Sequence, residues 1–331
     1  MKGKHHIVVQ NDRVKYAFDI CRNITVIRGD SATGKTSLLN LLQEYAVRGK
    51  GSGVMLQSDV PCAVYSLGES QWEAYLAIMG RSIIFIDEDY RFVYSKEFAK
   101  RIQHTDHYYV IISRKPLRNL PYSVREVYGI RTSGKYHYPE QVYNELYPLY
   151  REEQFCGKPV LIITEDEKAG FEFFRHAFQK AKCISAGGNT SVVPTVCACI
   201  RENAVIVIAD GAAFGPFIDE LLKVGEANDG VGVYLPESFE WLLLRSGILK
   251  NAEIEKVLAH PEDYIDSQEY FTWEQFFTEY LQKQTRIEGQ TRYMQYKKDR
   301  LPEFFLTERA MRMILDVLPE ELRSWLSAES A

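Results

Sequence analysis

Gly29-Asp30-Ser31-Ala32-Thr33-Gly34-Lys35-Thr36 is the stretch on which the reading of this chain turns. It fits the phosphate-binding pattern of Gly, any four residues, then Gly, Lys and Ser or Thr. An apolar run with β character, Ile24-Thr25-Val26-Ile27, comes before it, and Ser37-Leu38-Leu39-Asn40-Leu41-Leu42 follows as a helix. Strand, glycine-bounded loop and helix is the context that the chemistry needs. Backbone N–H groups of such a loop curl around phosphates, and the helix N-terminus adds partial positive charge. Gly29, Asp30, Ser31, Ala32, Thr33, Gly34, Lys35, Thr36 and Ser37 form the expected binding set. Lys35 is expected to act as the catalytic cation on the β- and γ-phosphates, and the Thr36 hydroxyl to hold Mg²⁺.

A second anchor is Ser82-Ile83-Ile84-Phe85-Ile86-Asp87-Glu88-Asp89. Its apolar run predicts a strand buried on both faces, as in a parallel sheet. In such sheets ligands gather beyond the carboxyl ends of the strands. Asp87 is therefore expected to hold Mg²⁺ and Glu88 to polarise a water as general base. A bare acidic turn after a core strand is the competing reading, and the upstream phosphate loop favours the functional one. A further strand, Tyr108-Tyr109-Val110-Ile111-Ile112, ends in Ser113-Arg114.

The remaining first half has two short strands at 5–10 and 14–20, then strands at 54–57 and 62–65. A helix is expected over 72–80 with Trp72, Tyr75, Leu76 and Met79 on one face. Strands near 124–128 and 135–138 are expected to finish the sheet, with a linker starting at Tyr147-Pro148-Leu149-Tyr150. The hairpin ahead of the phosphate loop resembles P-loop (Walker A) ATPases of the ABC and SMC-like kind. That resemblance implies ATP, or another NTP, with Mg²⁺ as cofactors. It also implies a polar γ-phosphate sensor after the third strand. ABC-type enzymes carry a His there, whereas this chain offers Ser113 and Arg114. Ser66-Leu67-Gly68-Glu69-Ser70 matches the ABC signature poorly. The interval from Lys35 to Asp87 is too short for a coiled-coil arm.

The second half opens a new α/β pattern. Pro159-Val160-Leu161-Ile162-Ile163-Thr164 is a buried strand ending in Glu165-Asp166-Glu167. A helix over 170–182, a short strand at Cys183-Ile184-Ser185 and a loop, Ala186-Gly187-Gly188-Asn189-Thr190, lead to another helix. Ala204-Val205-Ile206-Val207-Ile208-Ala209-Asp210 is the next buried strand. This order resembles the TOPRIM domain of topoisomerases, primases and OLD-family nucleases. The resemblance implies a Mg²⁺ site at Glu165 and Asp210 for phosphodiester chemistry. The family's second Asp is replaced, because Asp210-Gly211-Ala212 has no third-position acid. One expected ligand is therefore missing, with Asp166, Glu167 or Asp219 as candidate substitutes. Glu237 or Glu240, in a helix read over 235–244, can also reach the metal or simply cap and solvate the helix. A flavodoxin-like domain without catalysis is the alternative.

Residues 249–331 read as mostly helical, near 251–259, 273–287, 290–300 and 307–326. Two basic segments stand out, 91–135 and 282–312, and Tyr293, Tyr296, Lys297 and Lys298 lie in the second. The first is either a nucleic-acid face or a solvated surface, and the second either a nucleic-acid contact or a helical cap on the preceding sheet. The 331 residues suit two domains, and a formal charge of −5 gives no global case for nucleic acid. No apolar run approaches the ~20 residues of a membrane span. The N-terminus lacks a signal-peptide core, so a cytoplasmic protein without membrane contact is expected. Cysteines at 21, 62, 156, 183, 197 and 199 read as small buried thiols, and His104 and His107 as surface residues.

The expected architecture is α/β throughout. A P-loop NTPase sheet domain spans 1–150, a TOPRIM-like α/β domain spans 151–248, and a helical C-terminal extension spans 249–331. The layout is similar to OLD-family and PARIS-type ATPase–TOPRIM proteins. It implies an ATP-binding hydrolase that couples nucleotide state to an effector domain in nucleic-acid metabolism or phage defence. An ATP-regulated Mg-dependent nuclease is one alternative. A non-catalytic nucleotide-dependent switch that recruits a partner protein is the other, and a protein partner or a homodimer stands among the expected partners.

Overall fold

The computed structural model describes residues 1–29, 34–132, 142–150, 161–179, 181–201, 203–286 and 294–327. The chain divides into two compact units, Met1–Tyr150 with Pro261–Phe271, and Arg151–His260 with Thr272–Ala331. The 261–271 segment therefore leaves the stretch read as a C-terminal extension and joins the first unit. Its Glu262 carbonyl accepts from the Gly3 N–H at 2.8 Å, and its Ser267 N–H donates to the Met1 carbonyl at 3.0 Å.

The first unit is a mixed α/β unit built on a nine-stranded sheet. β1 (His5–Gln10) and β2 (Val14–Ile20) form an antiparallel hairpin, and β3 (Ile24–Arg28) runs up to Gly29, where the glycine-lysine motif begins. α1 (Lys35–Arg48) follows, then β4 (Met55–Gln57), β5 (Cys62–Val64) and α2 (Trp72–Ile78). β6 (Ser82–Ile86), α3 (Lys96–Ile102), β7 (His107–Ile112), β8 (Val127–Thr132) and β9 (Val142–Pro148) complete it. The strand order is β4-β1-β2-β9-β8-β3-β7-β6-β5.

Every residue of β3, β6 and β7 is buried, which is why these strands are apolar along both faces. They run parallel, with Ile27 opposite Ile112 and Ile86 opposite Ile111. The segments after residues 28, 86 and 112 therefore emerge at one sheet edge. α1 buries Lys35 at its start and the leucine stripe Leu38, Leu39, Leu41 and Leu42, which packs into the core with Ile7, Val9, Ile27 and Phe85.

β9 was not anticipated. Tyr147 and Pro148, read as the start of a linker, are its last residues. It pairs parallel with β2 and antiparallel with β8. Its burial does not alternate cleanly, so period-two patterning is faint, and the terminal proline reads as a breaker. The strand expected at 135–138 lies outside the described residues. His107 is buried at the head of β7, not at the surface, and burial holds its pKa below the usual histidine value. Of the described cysteines, Cys197 is exposed and Cys21, Cys62, Cys183 and Cys199 are partly so, all unpaired.

The second unit holds a four-stranded parallel sheet in the order β11-β10-β12-β13. β10 (Leu161–Thr164), α4 (Ala169–Ala177), β11 (Lys182–Ser185), α5 (Asn189–Cys199) and β12 (Val205–Ile208) follow the expected succession. α6 (Gly215–Glu226) and β13 (Val231–Tyr234) add an element pair not read from the sequence. The helix read over 235–244 begins later: α7 is Phe239–Arg245, capped by the Ser238 side chain on the Trp241 N–H. α8 (Ala252–Ala259) and α9 (Trp273–Gln284) follow. Described residues 294–300 contain no α-helix. The helix read over 307–326 is two, α10 (Glu308–Leu315) and α11 (Glu320–Ser327), with Pro319 at the break. Among the described residues no helix is long and apolar enough to cross a membrane.

Asp210-Gly211-Ala212 is sewn to the segment before α7. The Gly211 N–H donates to the Pro236 carbonyl at 2.6 Å and the Ala212 N–H to the Glu237 carbonyl at 3.1 Å. A Cβ on Gly211 would stand 2.6 Å from the Leu235 carbonyl oxygen and 2.8 Å from that of Pro236. Both obstacles are backbone, so neither can swing aside. Gly211→Ala is expected to destabilise the second unit by about 2–3 kcal/mol. Urea unfolding followed by circular dichroism would measure this, and an unchanged midpoint would remove the close approach as a constraint.

Candidate functional site

Two clusters of polar residues sit beyond the carboxyl ends of parallel strands, one in each unit.

In the first unit, Asp30, Ser31, Ala32 and Thr33 lie outside the described residues, so the loop is defined by its two ends. Gly29 and Gly34 both have positive φ, 138° and 94°. The Gly34 carbonyl accepts from the Tyr16 hydroxyl at 2.7 Å and from the Leu38 N–H at 3.1 Å. A Cβ at Gly34 would meet the Tyr16 oxygen at 3.0 Å and Asn144 Nδ2 at 3.4 Å. Conformation and crowding together demand glycine here. Tyr16 on β2 and buried Asn144 on β9 thus brace the loop, and neither was legible from the motif. Lys35 is buried and its ammonium donates to the Gly29 carbonyl across the loop. Thr36 and Ser37 are exposed on the first turn of α1, where no acidic side chain competes for an anion.

β7 lies between β3 and β6, so its end opens between the phosphate loop and the acids. Asp87 is half-buried and its Oδ1 accepts the Glu88 N–H at 2.7 Å. Burial raises its pKa above the usual carboxylate value, Asp89 and Glu88 add to this, and the Glu88 N–H and Lys35 pull it back. Glu88 Oε1 pairs with Arg114 Nη2 at 2.9 Å. Ser113, the other residue considered as a sensor, is fully buried. Its hydroxyl donates to the Lys115 carbonyl at 2.7 Å and shares a hydrogen bond with Tyr94 at 2.9 Å. Only Arg114 faces the acids. Glu69 of the 66–70 segment accepts the Phe92 N–H at 2.6 Å and the Arg91 N–H at 3.2 Å, a backbone-capping role. The carboxylate of Asp87 and the hydroxyl of Thr36 are hard oxygen donors of the kind Mg²⁺ takes.

In the second unit, β10 connects to β11 on one side, and the chain then returns past it to β12. The crevice between the ends of β10 and β12 is therefore a topological switch point. Glu165 and Asp210 stand at those two ends. The Asp210 N–H donates to Glu165 Oε2 at 3.0 Å, and Asp210 Oδ1 accepts the Phe239 N–H at the start of α7 at 3.1 Å. They line a cavity of about 30 Å³ with Asp166, Glu240, Tyr296 and Lys298. That space admits a water or an ion, not an organic ligand.

Glu240 is buried, with Oε1 accepting the Tyr296 hydroxyl at 2.8 Å and Oε2 left without a partner. Lys298 forms an ion pair with Glu274. Burial works against its charge, but Glu274, Glu240 and Asp210 outweigh it and hold its pKa above the usual lysine value. Burial also pushes Glu165 up to about 8, with Glu274 and Asp166 contributing, against the Asp210 N–H and Lys298. Asp210 is raised well above its ordinary value by burial and by Glu274, Glu165 and Glu240.

Of the proposed substitute acids, Asp166 and Glu240 line the cavity, whereas Glu167, Asp219 and Glu237 do not. Ala212 is buried outside it. Among the described residues no three His, Cys, Asp or Glu side chains gather as a ready metal cage. Lys298 and Tyr296, considered as nucleic-acid contacts, instead turn inward. Tyr293 lies outside the described residues. The chain matches no protein-family model and no curated protein.

The raised pKa of Glu165 predicts a pH effect with a definite sign. Its carboxyl keeps a proton in the folded state up to about pH 8, whereas its ordinary value is 4.5. Between those values the folded state binds more protons than the unfolded one, so stability falls as pH rises. In chelator, the melting temperature of the second unit should decline from pH 5 to pH 8, and Glu165→Gln should flatten that decline. A slope of opposite sign would contradict the burial of this carboxyl.

Proposed function

We propose that this protein is a Mg²⁺-dependent nucleoside triphosphatase, with ATP as its expected nucleotide, that couples hydrolysis to a TOPRIM-like second unit in nucleic-acid metabolism or phage defence. One observation carries the reading. The registered parallel strands β3, β7 and β6 deliver Gly34-Lys35, Arg114 and Asp87-Glu88 to a single sheet edge. Lys35 would leave the Gly29 carbonyl for the β- and γ-phosphates, which match its charge better than a neutral oxygen does. The N-terminus of α1 and the loop amides would hold the phosphate oxygens. Bound Mg²⁺, on Thr36 and Asp87, would neutralise developing charge on those oxygens. Glu88 would orient and deprotonate the attacking water.

A second reading, an ATP-regulated nuclease, is favoured by the partnerless, buried Oε2 of Glu240 beside Glu165 and Asp210. The oxygen donors suit a hard cation, although Lys298 already supplies positive charge there.

ATP turnover with Mg²⁺ should fall roughly 10²-fold or more in Lys35→Ala and in Glu88→Gln, the latter retaining bound nucleotide. Turnover unaffected by either change would remove the hydrolase reading. Binding without turnover in the wild type would leave a nucleotide switch. Cleavage of DNA or RNA with Mg²⁺ or Mn²⁺ should disappear in Glu165→Ala and Asp210→Ala. Cleavage that survives both would place the nuclease site elsewhere.

A further inference from the structure

Past the C-terminal end of α7 the second unit opens into a cavity of about 450 Å³. It shares no lining residue with the crevice at Glu165 and Asp210. Its size falls within the ~300–1,000 Å³ of pockets that hold small organic molecules. One wall is the link from α7 to α8, where Gly247, Ile248 and Lys250 line the space. The other wall is a tight helical turn, Glu303–Leu306, and the start of α10, which contribute Phe304, Arg309, Ala310 and Met313.

Local structure fixes both walls. α7 ends with the Ser246 N–H donating to the Leu242 carbonyl at 3.0 Å, and Gly247 then turns the chain with a φ of 71°. A Cβ on Gly247 would meet nothing within 4 Å, so the turn faces open space. Opposite it, Thr307 lines the cavity, but its hydroxyl is committed as the cap of α10. It donates to the Phe304 carbonyl at 2.8 Å and accepts the Ala310 N–H at 3.4 Å. α10 buries Ala310 and Ile314, whereas Met313 and Phe304 stay half-buried, as apolar side chains at a cavity wall do.

Charge distinguishes this cavity from a packing defect. Two of its lining residues are cations, Lys250 and Arg309, both exposed, and none is an acid. Glu303 and Glu308, on the same turn and helix, stay out of the lining. Neither cation has an ion pair or a side-chain hydrogen bond among the described residues. An apolar floor with a cationic rim complements one chemistry. We propose that the cavity binds a small organic anion, with its apolar or aromatic body on Phe304, Met313 and Ile248 and its acidic head on Lys250 and Arg309. The guanidinium fork suits the paired oxygens of a carboxylate, sulfonate or phosphate. A compact ligand fits better than a peptide strand, because the walls are a turn and a helix with no strand edge to extend. The inference is independent of the nucleotide reading of the first unit.

The test titrates the full chain with two fluorescent probes of similar shape. One is the aromatic sulfonate 8-anilinonaphthalene-1-sulfonate, and the other is the neutral N-phenyl-1-naphthylamine. The wild type should bind the sulfonate at a single site and more tightly than the neutral probe. The double change Lys250→Ala with Arg309→Ala should weaken the sulfonate roughly tenfold, through loss of two partly exposed charge contacts, and leave the neutral probe within about twofold. Met313→Trp, which fills the space, should weaken both, with circular dichroism confirming that each variant keeps the wild-type fold. No saturable sulfonate binding by the wild type overturns the proposal. So does sulfonate affinity that ignores the double change, or probe binding that ignores Met313→Trp. A dimer in sedimentation that Met313→Trp dissociates would give this surface to a second copy of the chain and overturn the small-ligand assignment.

Discussion

The parallel pairing of β3, β7 and β6 is the constraint that positions the first unit's cluster of polar residues. These strands are buried on both faces, so their register cannot slip without moving apolar side chains out of the core. Fixing Ile27 against Ile112 and Ile111 against Ile86 fixes the exits of all three strands. Everything polar then happens where the strands end, because only there can charged side chains reach solvent or a ligand. Gly34, just before α1, combines a positive φ with close contacts to Tyr16 and Asn144, which together favour glycine there. The strands that carry those two residues come from opposite ends of the unit's sequence and meet only in the sheet.

The second unit repeats the device with a different charge balance. Two acids exit adjacent parallel strands at the point where the chain changes direction across the sheet. Their neighbours Glu240 and Asp166 would make the cavity strongly repulsive. Lys298, Tyr296 and raised proton affinities answer that repulsion. A buried cluster of this kind costs stability, since like charges in low dielectric resist ionisation. Ordinary cores replace such groups with apolar ones, so their presence at a switch point makes the cavity a candidate site.

Much of this was legible in the sequence. Continuous apolar runs ending in acids announced β6, β10 and β12, because full burial leaves a local signature. The phosphate motif announced its loop and α1 for the same reason: its glycines and lysine must be adjacent in sequence to act. What escaped was contributed from afar. β9 has a weakly alternating pattern and takes its meaning from pairing with β2 and β8. Lys298 lines the cavity, and Glu274 pairs with it, only through tertiary packing, and a Lys-Lys pair in a basic segment reads as surface. α6 and β13 carry no functional motif, although their apolar faces complete the second sheet. Pro319 divided what periodicity alone had joined. Ala212, flagged as a missing acid, turned out to be buried away from the cavity that Glu240 enters from α7.

On the nucleotide-hydrolase reading, one sheet edge gathers the parts of a single site. A crystal structure with a non-hydrolysable ATP analogue and Mn²⁺, with anomalous scattering to locate the metal, tests it most directly. Nucleotide phosphates should lie against α1, with the Lys35 ammonium on them instead of on the Gly29 carbonyl and a Mn²⁺ peak between Thr36 and Asp87. Nucleotide bound elsewhere, or a Mn²⁺ peak that ignores Asp87, would contradict it.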